Sequence, residues 1–292
     1  MKSKYDHFWI APDGERAVIS ISVNEGDESS NYFVSGTKKI EIKGGLVAVD
    51  FQGSYVLVVT TIAGSEDGYR ARIYDSHPWR LIGDSTFSSA FGEDFRRFAM
   101  RLSEDGRSYY YIDRDKKPYV RDASSGQQIP FRYQLPRGGL DDLLLKTEKE
   151  GVAVAGNSLW LLGERQSRKI TLPQNAAVDA LVETGSDHLL AVRFAYGWGT
   201  FNLDSGQWHV VTNEPVAAIH GAGKALTVVS GPPGNRKIGA YDLSGNTPLL
   251  LGAMAVQGDA EKIACANRFG YMTYSGDSFQ WRSIPRRKAP VD

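Results

Sequence analysis

The amino-acid sequence predicts an all-β fold made of repeated four-stranded antiparallel units. Ser-Gly pairs between strand-like segments recur at intervals close to multiples of about 40 residues. The glycines of these pairs are Gly36, Gly126, Gly206, Gly245 and Gly276. Seven units over the 292 residues average about 42 residues each, which is the length of one blade of a β-propeller. The predicted fold class is therefore a seven-bladed β-propeller of four-stranded antiparallel blades.

A second series of tight turns has the same period and falls one hairpin earlier in each unit. Its glycines are Gly14, Gly53, Gly106, Gly151, Gly185, Gly223 and Gly258. Glycine at such positions allows the positive φ of tight hairpin turns. The two missing members of the first series are expected at residues 75–78 and 164–167. The units then begin near His7, Leu46, Phe95, Asp141, Val178, Pro215 and Met254. A six-bladed propeller with one irregular unit is the alternative.

Two segments carry a resemblance to a known family. Residues 103–111 read Ser-Glu-Asp-Gly-Arg-Ser-Tyr-Tyr-Tyr, and residues 120–126 read Val-Arg-Asp-Ala-Ser-Ser-Gly. Together they resemble one repeat of the WD-repeat and related propellers. The Gly-His and Trp-Asp pairs of WD repeats are absent from the sequence. The resemblance therefore implies the architecture, and it assigns no function.

A further repeat, Asp-Ser-x-x-Trp, begins at Asp75, Asp204 and Asp277. Asp and Ser side chains can cap a turn by hydrogen bonding to nearby backbone groups. The tryptophan then starts the fourth strand of a unit, where its ring can cover the seam to a neighbouring sheet. We interpret the repeat as structural.

Charge and composition restrict the function classes. The chain has 34 Lys and Arg and 34 Asp and Glu, so no net charge attracts it to nucleic acid or to a membrane surface. Its one cysteine, Cys265, fits a reducing compartment. We expect a monomeric cytoplasmic protein with one propeller domain, residues 1–284, and a disordered basic tail, residues 285–292. No stretch is long and apolar enough to predict a membrane span.

The longer loops are expected together on one face, because in each unit the loop between strands two and three and the connection to the next unit share one end. Elaborated loops on a rigid scaffold are where binding usually occurs. The earlier loops are acidic, and the later ones are basic and aromatic. The candidate partner-binding residues are Glu25, Asp27, Glu28, Glu66, Asp67, Glu93, Asp94, Arg132, Tyr133, Arg137, Tyr196, Trp198 and Arg236. An alternative for Trp198 is that it packs over its own blade.

No motif for chemistry stands out. The five histidines have no metal-binding spacing, and there is no Gly-x-Ser-x-Gly nucleophile elbow. The sequence predicts no cofactor and no metal. The leading hypothesis is a non-catalytic protein that binds a protein partner. A basic partner would complement the acidic loops, so a toxin-neutralising immunity protein or an assembly scaffold is expected. The alternative is a propeller hydrolase or lyase with an acidic site near the central channel.

Overall fold

The computed structural model describes residues 4–11, 15–22, 30–35, 37–76, 79–89, 100–103, 105–145, 151–173, 176–186, 188–256, 263–267, 270–275 and 278–285. These residues form seven antiparallel sheets and no helix. The chain divides into two compact units, residues 1–9 with 18–171 and residues 10–17 with 172–292.

The first four sheets each contain four strands in chain order. The first sheet has β1 (Lys4–Ile10), β2 (Arg16–Ser22), β3 (Ser30–Ser35) and β4 (Lys38–Ile42); the second has β5 (Leu46–Gln52), β6 (Tyr55–Thr61), β7 (Gly68–Ser76) and β8 (Trp79–Ser88). The third has β9 (Arg101–Leu102), β10 (Ser108–Ile112), β11 (Pro118–Asp122) and β12 (Gln128–Ile129); the fourth has β13 (Asp142–Leu145), β14 (Gly151–Ala155), β15 (Ser158–Leu162) and β16 (Arg168–Ile170).

The remaining three sheets belong to the second unit. The fifth has β17 (Val178–Val182), β18 (Leu189–Phe194), β19 (Trp198–Asn202) and β20 (Trp208–Thr212). The sixth has β21 (Val216–Ala222), β22 (Ala225–Ser230), β23 (Lys237–Asp242) and β24 (Leu249–Ala255). The seventh has three strands among the described residues, β25 (Ile263–Asn267), β26 (Gly270–Ser275) and β27 (Ser278–Ser283).

The two predicted turn series fall at equivalent positions in the first six sheets. The first series falls where the third strand gives way to the fourth, with residues 75 and 76 ending β7, and the second falls where the first gives way to the second, with Gly151 beginning β14. Gly14 and Gly36 themselves lie outside the described residues. At two of these turns an Asx side chain fixes the geometry. Asp122 Oδ1 accepts from the backbone of Ser124 and Ser125, and Asn202 Oδ1 accepts from Asp204 and Ser205. The glycine four positions on then has φ of +70° and +69° in the two turns.

The seventh predicted repeat differs from the observed sheet. Met254 lies in β24, the fourth strand of the sixth sheet, so it does not begin a new unit. β25 packs beside β21 and β22, as β21 packs beside β17, which makes β25 the first strand of its sheet. The Ser-Gly pair at Gly276 therefore separates a second strand from a third, and Gly258 lies outside the described residues.

Two further boundaries differ. The sequence predicts a long loop over residues 83–94, but β8 continues to Ser88 and pairs with β7 along that length. The third sheet begins at Arg101, and Phe95 lies outside the described residues. The sequence also predicts a strand over residues 141–150; residues 142–145 form β13, and residues 146–150 lie outside the described part of the chain. Of the predicted tail, residues 286–292 lie outside the described part of the chain.

The core consists of apolar clusters between consecutive sheets within each unit. Between the first and second sheets, Trp79 stacks on Phe33 and on Tyr74, with ring centroids 3.8 and 4.3 Å apart. The side chain thus covers a seam between sheets, as the structural interpretation of the Asp-Ser-x-x-Trp repeat predicts. Trp208 also starts a fourth strand, but it packs on Phe194 and Phe201 of its own sheet.

Candidate protein-binding surface

The strand order gives every four-stranded sheet two distinct ends. The turns between strands one and two and between strands three and four share one end, which we call the turn end. The loop between strands two and three and the connection to the next sheet share the other, which we call the loop end. Each predicted site residue that the structure describes lies at a loop end, at a turn end or between sheets.

Tyr196 is the most exposed large side chain at the loop end of the fifth sheet. It lies between β18 and β19, and 75% of its surface is accessible. Backbone hydrogen bonds hold the loop, since Phe194 N donates to Gly197 O at 3.0 Å and Ala195 N donates to Ala177 O at 2.9 Å. The position of Tyr196 at a hairpin tip agrees with the sequence prediction.

Gly197 explains how this loop turns so sharply. Its φ is +101°, and an added Cβ would lie 2.0 Å from the carbonyl oxygen of Thr212. No side chain fits between the loop and β20, so only glycine allows this close approach. The loop therefore presents Tyr196 from a fixed backbone.

Trp198 does not lie on the surface. It begins β19, is fully buried, and meets the ring of Tyr241 edge-on at 4.8 Å between ring centroids. Strict strand alternation would place residues 196 and 198 on the same face, but Tyr196 lies in the loop before β19 and the positive φ of Gly197 separates the two. The ring of Trp198 therefore enters the cluster between the fifth and sixth sheets, while that of Tyr196 stays at the surface. The expectation of an exposed anchor at Trp198 is therefore wrong. The ring is internal, but it packs against the sixth sheet as well as its own, so the alternative of packing over its own blade describes it only in part.

The loop end of the sixth sheet carries exposed prolines. Pro232 and Pro233 follow β22, and Gly231 N donates to Pro215 O at 2.9 Å in the preceding connection. Arg236 closes this loop where the sequence placed it, and its side chain is half-buried. The loop ends of the fifth and sixth sheets thus display an aromatic ring and rigid prolines.

The acidic candidates are only partly described. Glu66 and Asp67 are exposed in the loop between β6 and β7, as expected. Glu25, Asp27, Glu28, Glu93 and Asp94 lie outside the described residues.

The basic candidates after the third sheet are not gathered at a loop end. Arg132 and Arg137 are exposed, but Tyr133 is buried against Phe131, Leu140 and Leu143 in the cluster between the third and fourth sheets. The segment runs from one end of the sheets to the other. Gln134 N donates to Gly163 O at 3.0 Å near a turn end, and Leu140 N donates to Lys116 O at 2.9 Å at a loop end. The prediction of Tyr133 as a surface residue is therefore corrected, because this connection fills a seam.

Sequence reasoning missed a compact basic loop between β10 and β11. Arg114, Lys116 and Lys117 are exposed beside Asp115, and Lys116 Nζ lies 2.6 Å from Asp141 Oδ1. Asp113 Oδ1 accepts from Lys117 N at 2.8 Å and holds the turn. The Lys116-Lys117 pair is visible in the sequence, but without a continuous basic stripe it does not indicate a binding site.

Buried charged side chains connect the first strands of the second, third and fourth sheets. Asp50 Oδ2 accepts from Leu102 N at 2.7 Å, and Arg101 Nη2 donates to Asp142 Oδ1 at 3.2 Å. Burial raises the pKa of the Asp50 carboxyl, against the opposing effects of the Leu102 hydrogen bond and the Arg101 charge. These contacts tie neighbouring sheets together.

Within the described residues, no three His, Cys, Asp or Glu side chains come together as a metal-binding group. The same residues include no helix long and apolar enough to span a membrane.

Comparisons with solved structures establish the fold. The tricorn protease superposes with a TM-score of 0.59 at 12% identity over 92% of this chain, which spans about a third of that protein, 32% of its length. The β-propeller domain of Cps50 (Swd1) from Myceliophteria thermophila gives a TM-score of 0.52 at 10% identity, covering 88% of this chain and 90% of that one. The computationally designed Ika8 protein gives 0.53 at 11% identity, covering 97% of each chain.

The class of protein is thus a β-propeller, with six four-stranded sheets and a seventh of three described strands. Identities of 10 to 12% carry the fold alone. No family model and no curated protein matches the sequence.

Proposed function

We propose that this propeller is a non-catalytic scaffold that binds a protein partner through the loop ends of its fifth and sixth sheets. The observation that supports this most is Tyr196, a large aromatic side chain 75% exposed on a loop held by backbone hydrogen bonds. Propellers in general serve as interaction scaffolds, so the fold agrees with the proposal.

Energetics favour Tyr196 as an anchor. Tyrosine is enriched among the few interface residues that carry most of the binding free energy. Ordering a flexible loop upon binding costs free energy, and the hydrogen-bonded loop around Gly197 avoids most of that cost. Pro232 and Pro233 are also restricted in the free state, so they can add contact area at little entropic cost.

Charge supplies a second, separate element of the proposal. Exposed Glu66 and Asp67, in the loop between β6 and β7 of the second sheet, favour a partner that carries a basic charge, because complementary charge raises the association rate without direct contact. A toxin-neutralising immunity protein or an assembly scaffold in the cytoplasm is the form of this function that we propose.

The second candidate, a hydrolase or lyase, is favoured by Asp50, because a carboxyl with a raised pKa is a common general acid. Its Oδ2 accepts from the backbone of Leu102, however, which is a structural role. Protein binding is therefore the better supported function.

Affinity capture with matched variants tests the proposal. Tagged wild type, Tyr196→Ala and Leu249→Ala are used to capture proteins from a lysate of the source organism, followed by quantitative mass spectrometry. Leu249 is the control, because it is 63% exposed and starts β24 at the turn end of the sixth sheet, opposite the loop end. We expect one protein retained by wild type and Leu249→Ala and lost from Tyr196→Ala.

Kinetics with the purified partner then separate the two elements. Tyr196→Ala should speed dissociation roughly 30-fold or more, as loss of an anchor worth about 2 kcal/mol does. Reversal of Glu66 and Asp67 to Lys should chiefly slow association, and added salt should slow association of the wild type. Equal capture by all three proteins in the first experiment would exclude Tyr196 as the anchor.

A further inference from the structure

A cleft of about 440 Å³ opens in the second unit, away from the loop ends. It lies at the turn ends of the fifth and sixth sheets, between the β19–β20 turn and the β23–β24 turn. Its volume is within the roughly 300–1,000 Å³ of small-molecule sites. The lining residues are Thr200, Asn202, Asp204, Ser205, Gln207, Trp208, His209, Asn246 and Thr247.

The lining is rich in neutral polar side chains. Three hydroxyl residues and three amide residues face the cleft, and none of the nine lining residues is Lys or Arg. The carboxylate of Asp204 is engaged by His188 Nδ1 at 2.6 Å. Such a lining lacks a cation for phosphate or carboxylate ligands, whereas hydroxyls and amides can both donate to and accept from a ligand.

Thr200 provides an independent sign of a ligand. It is only 1% exposed, it lines the cleft, and its Oγ1 has no hydrogen-bond partner among the described residues. Buried hydroxyls are normally hydrogen-bonded, because leaving one unpaired costs free energy. Oγ1 is inaccessible in this rotamer, so a rotation about χ1 would bring it to a ligand hydroxyl in the cleft.

Asn202 adds a donor of fixed orientation. Its Oδ1 accepts from the backbone N–H groups of Asp204 and Ser205 at 3.0 and 2.8 Å. The Nδ2 amide is therefore the part of this side chain that remains to donate to a ligand. A donor beside the Thr200 hydroxyl, with Asn246 and Thr247 across the cleft, matches a ligand that carries several neighbouring hydroxyls.

We propose that this cleft binds a neutral saccharide of one or two rings. The site differs in place and in chemistry from the protein-binding surface, so each can fail without the other. Sugar hydroxyls donate and accept at once, which is what the hydroxyl and amide lining requires, and they need no cationic partner.

Two-dimensional NMR titration tests the proposal. The probes are glucose, galactose, mannose, N-acetylglucosamine, maltose and lactose, each added at millimolar concentrations. We expect at least one of them to shift the amide resonances of Thr200, Asn246 and Thr247. If none shifts them, the proposal is overturned.

Variants then locate the binding. Thr200→Val keeps the side-chain shape and removes the hydroxyl, and it should weaken the sugar by about 5- to 10-fold. Thr227→Val is the matched control, because Thr227 is fully buried in the sixth sheet, its Oγ1 also has no partner among the described residues, and it does not line the cleft. Its affinity should equal that of the wild type.

Asn246→Ala changes an exposed residue on the opposite wall, so it tests the site even if Thr200→Val does not fold. It should also weaken the sugar. Unchanged affinity in the folded Thr200 and Asn246 variants, or equal losses in the Thr200 and Thr227 variants, would show that the sugar does not occupy this cleft.

Discussion

Trp198→Ala is expected to lower the free energy of unfolding by about 3–5 kcal/mol, as truncation of a large buried aromatic side chain does. Trp198 is fully buried and packs against Tyr241 between the fifth and sixth sheets. Neighbouring strands cannot close the cavity, because each is fixed by its own ladder of hydrogen bonds. Urea denaturation of the purified variant measures the effect.

Tyr196→Ala is the control for this change. Tyr196 lies two residues away and is mostly exposed, so its removal should alter the free energy of unfolding by no more than about 0.5 kcal/mol. Similar denaturation midpoints for the two variants would contradict the burial of Trp198 and the exposure of Tyr196.

The second large effect is expected at Arg101. Arg101→Ala should lower the free energy of unfolding by about 3–5 kcal/mol, because it removes the Arg101 cation from the largely buried Asp142 carboxylate. The two side chains are 10% and 15% exposed. The pair Arg70–Asp84 provides the control, since those side chains are 44% and 28% exposed on the third and fourth strands of the second sheet. Arg70→Ala should cost less than about 1 kcal/mol.

A double replacement distinguishes the loss of a charge partner from a general loss of packing. Arg101→Met combined with Asp142→Leu removes both charges and keeps apolar volume, so it should recover much of the stability lost in Arg101→Ala. If the double variant is no more stable than Arg101→Ala, loss of the Arg101–Asp142 ion pair is not the cause.

The repeat was readable from the sequence because turns impose local chemistry. Tight turns need Gly, Asp, Asn or Ser at fixed offsets, and these residues recur with the period of the sheets. The Asx caps at Asp122 and Asn202 follow the same rule, although only the structure showed that Asn202, and not Asp204, caps its turn. In the seventh unit the rule gave the wrong register, because a Ser-Gly pair marks a turn without saying which two strands it joins.

The candidate site was less predictable, because exposure depends on contacts distant in sequence. Tyr196 and Trp198 lie in the same short aromatic segment, and their different exposure follows from the turn at Gly197, which packs against Thr212 of a later strand. Tyr133 and Arg132 are neighbours in an apparent loop, yet that segment crosses a seam and buries the ring. The cleft around Thr200 depends on two turns of different sheets, about 40 residues apart in the chain, the length of one repeat.

Site-specific photo-crosslinking tests the proposed function most directly. A photoreactive phenylalanine analogue replaces Tyr196 in one variant and Leu249 in a control, and both are irradiated in cells. We expect one dominant crosslinked protein at position 196 and none in common at position 249. The same products at both positions, or a specific product at position 249 alone, would contradict binding through the loop ends of the fifth and sixth sheets.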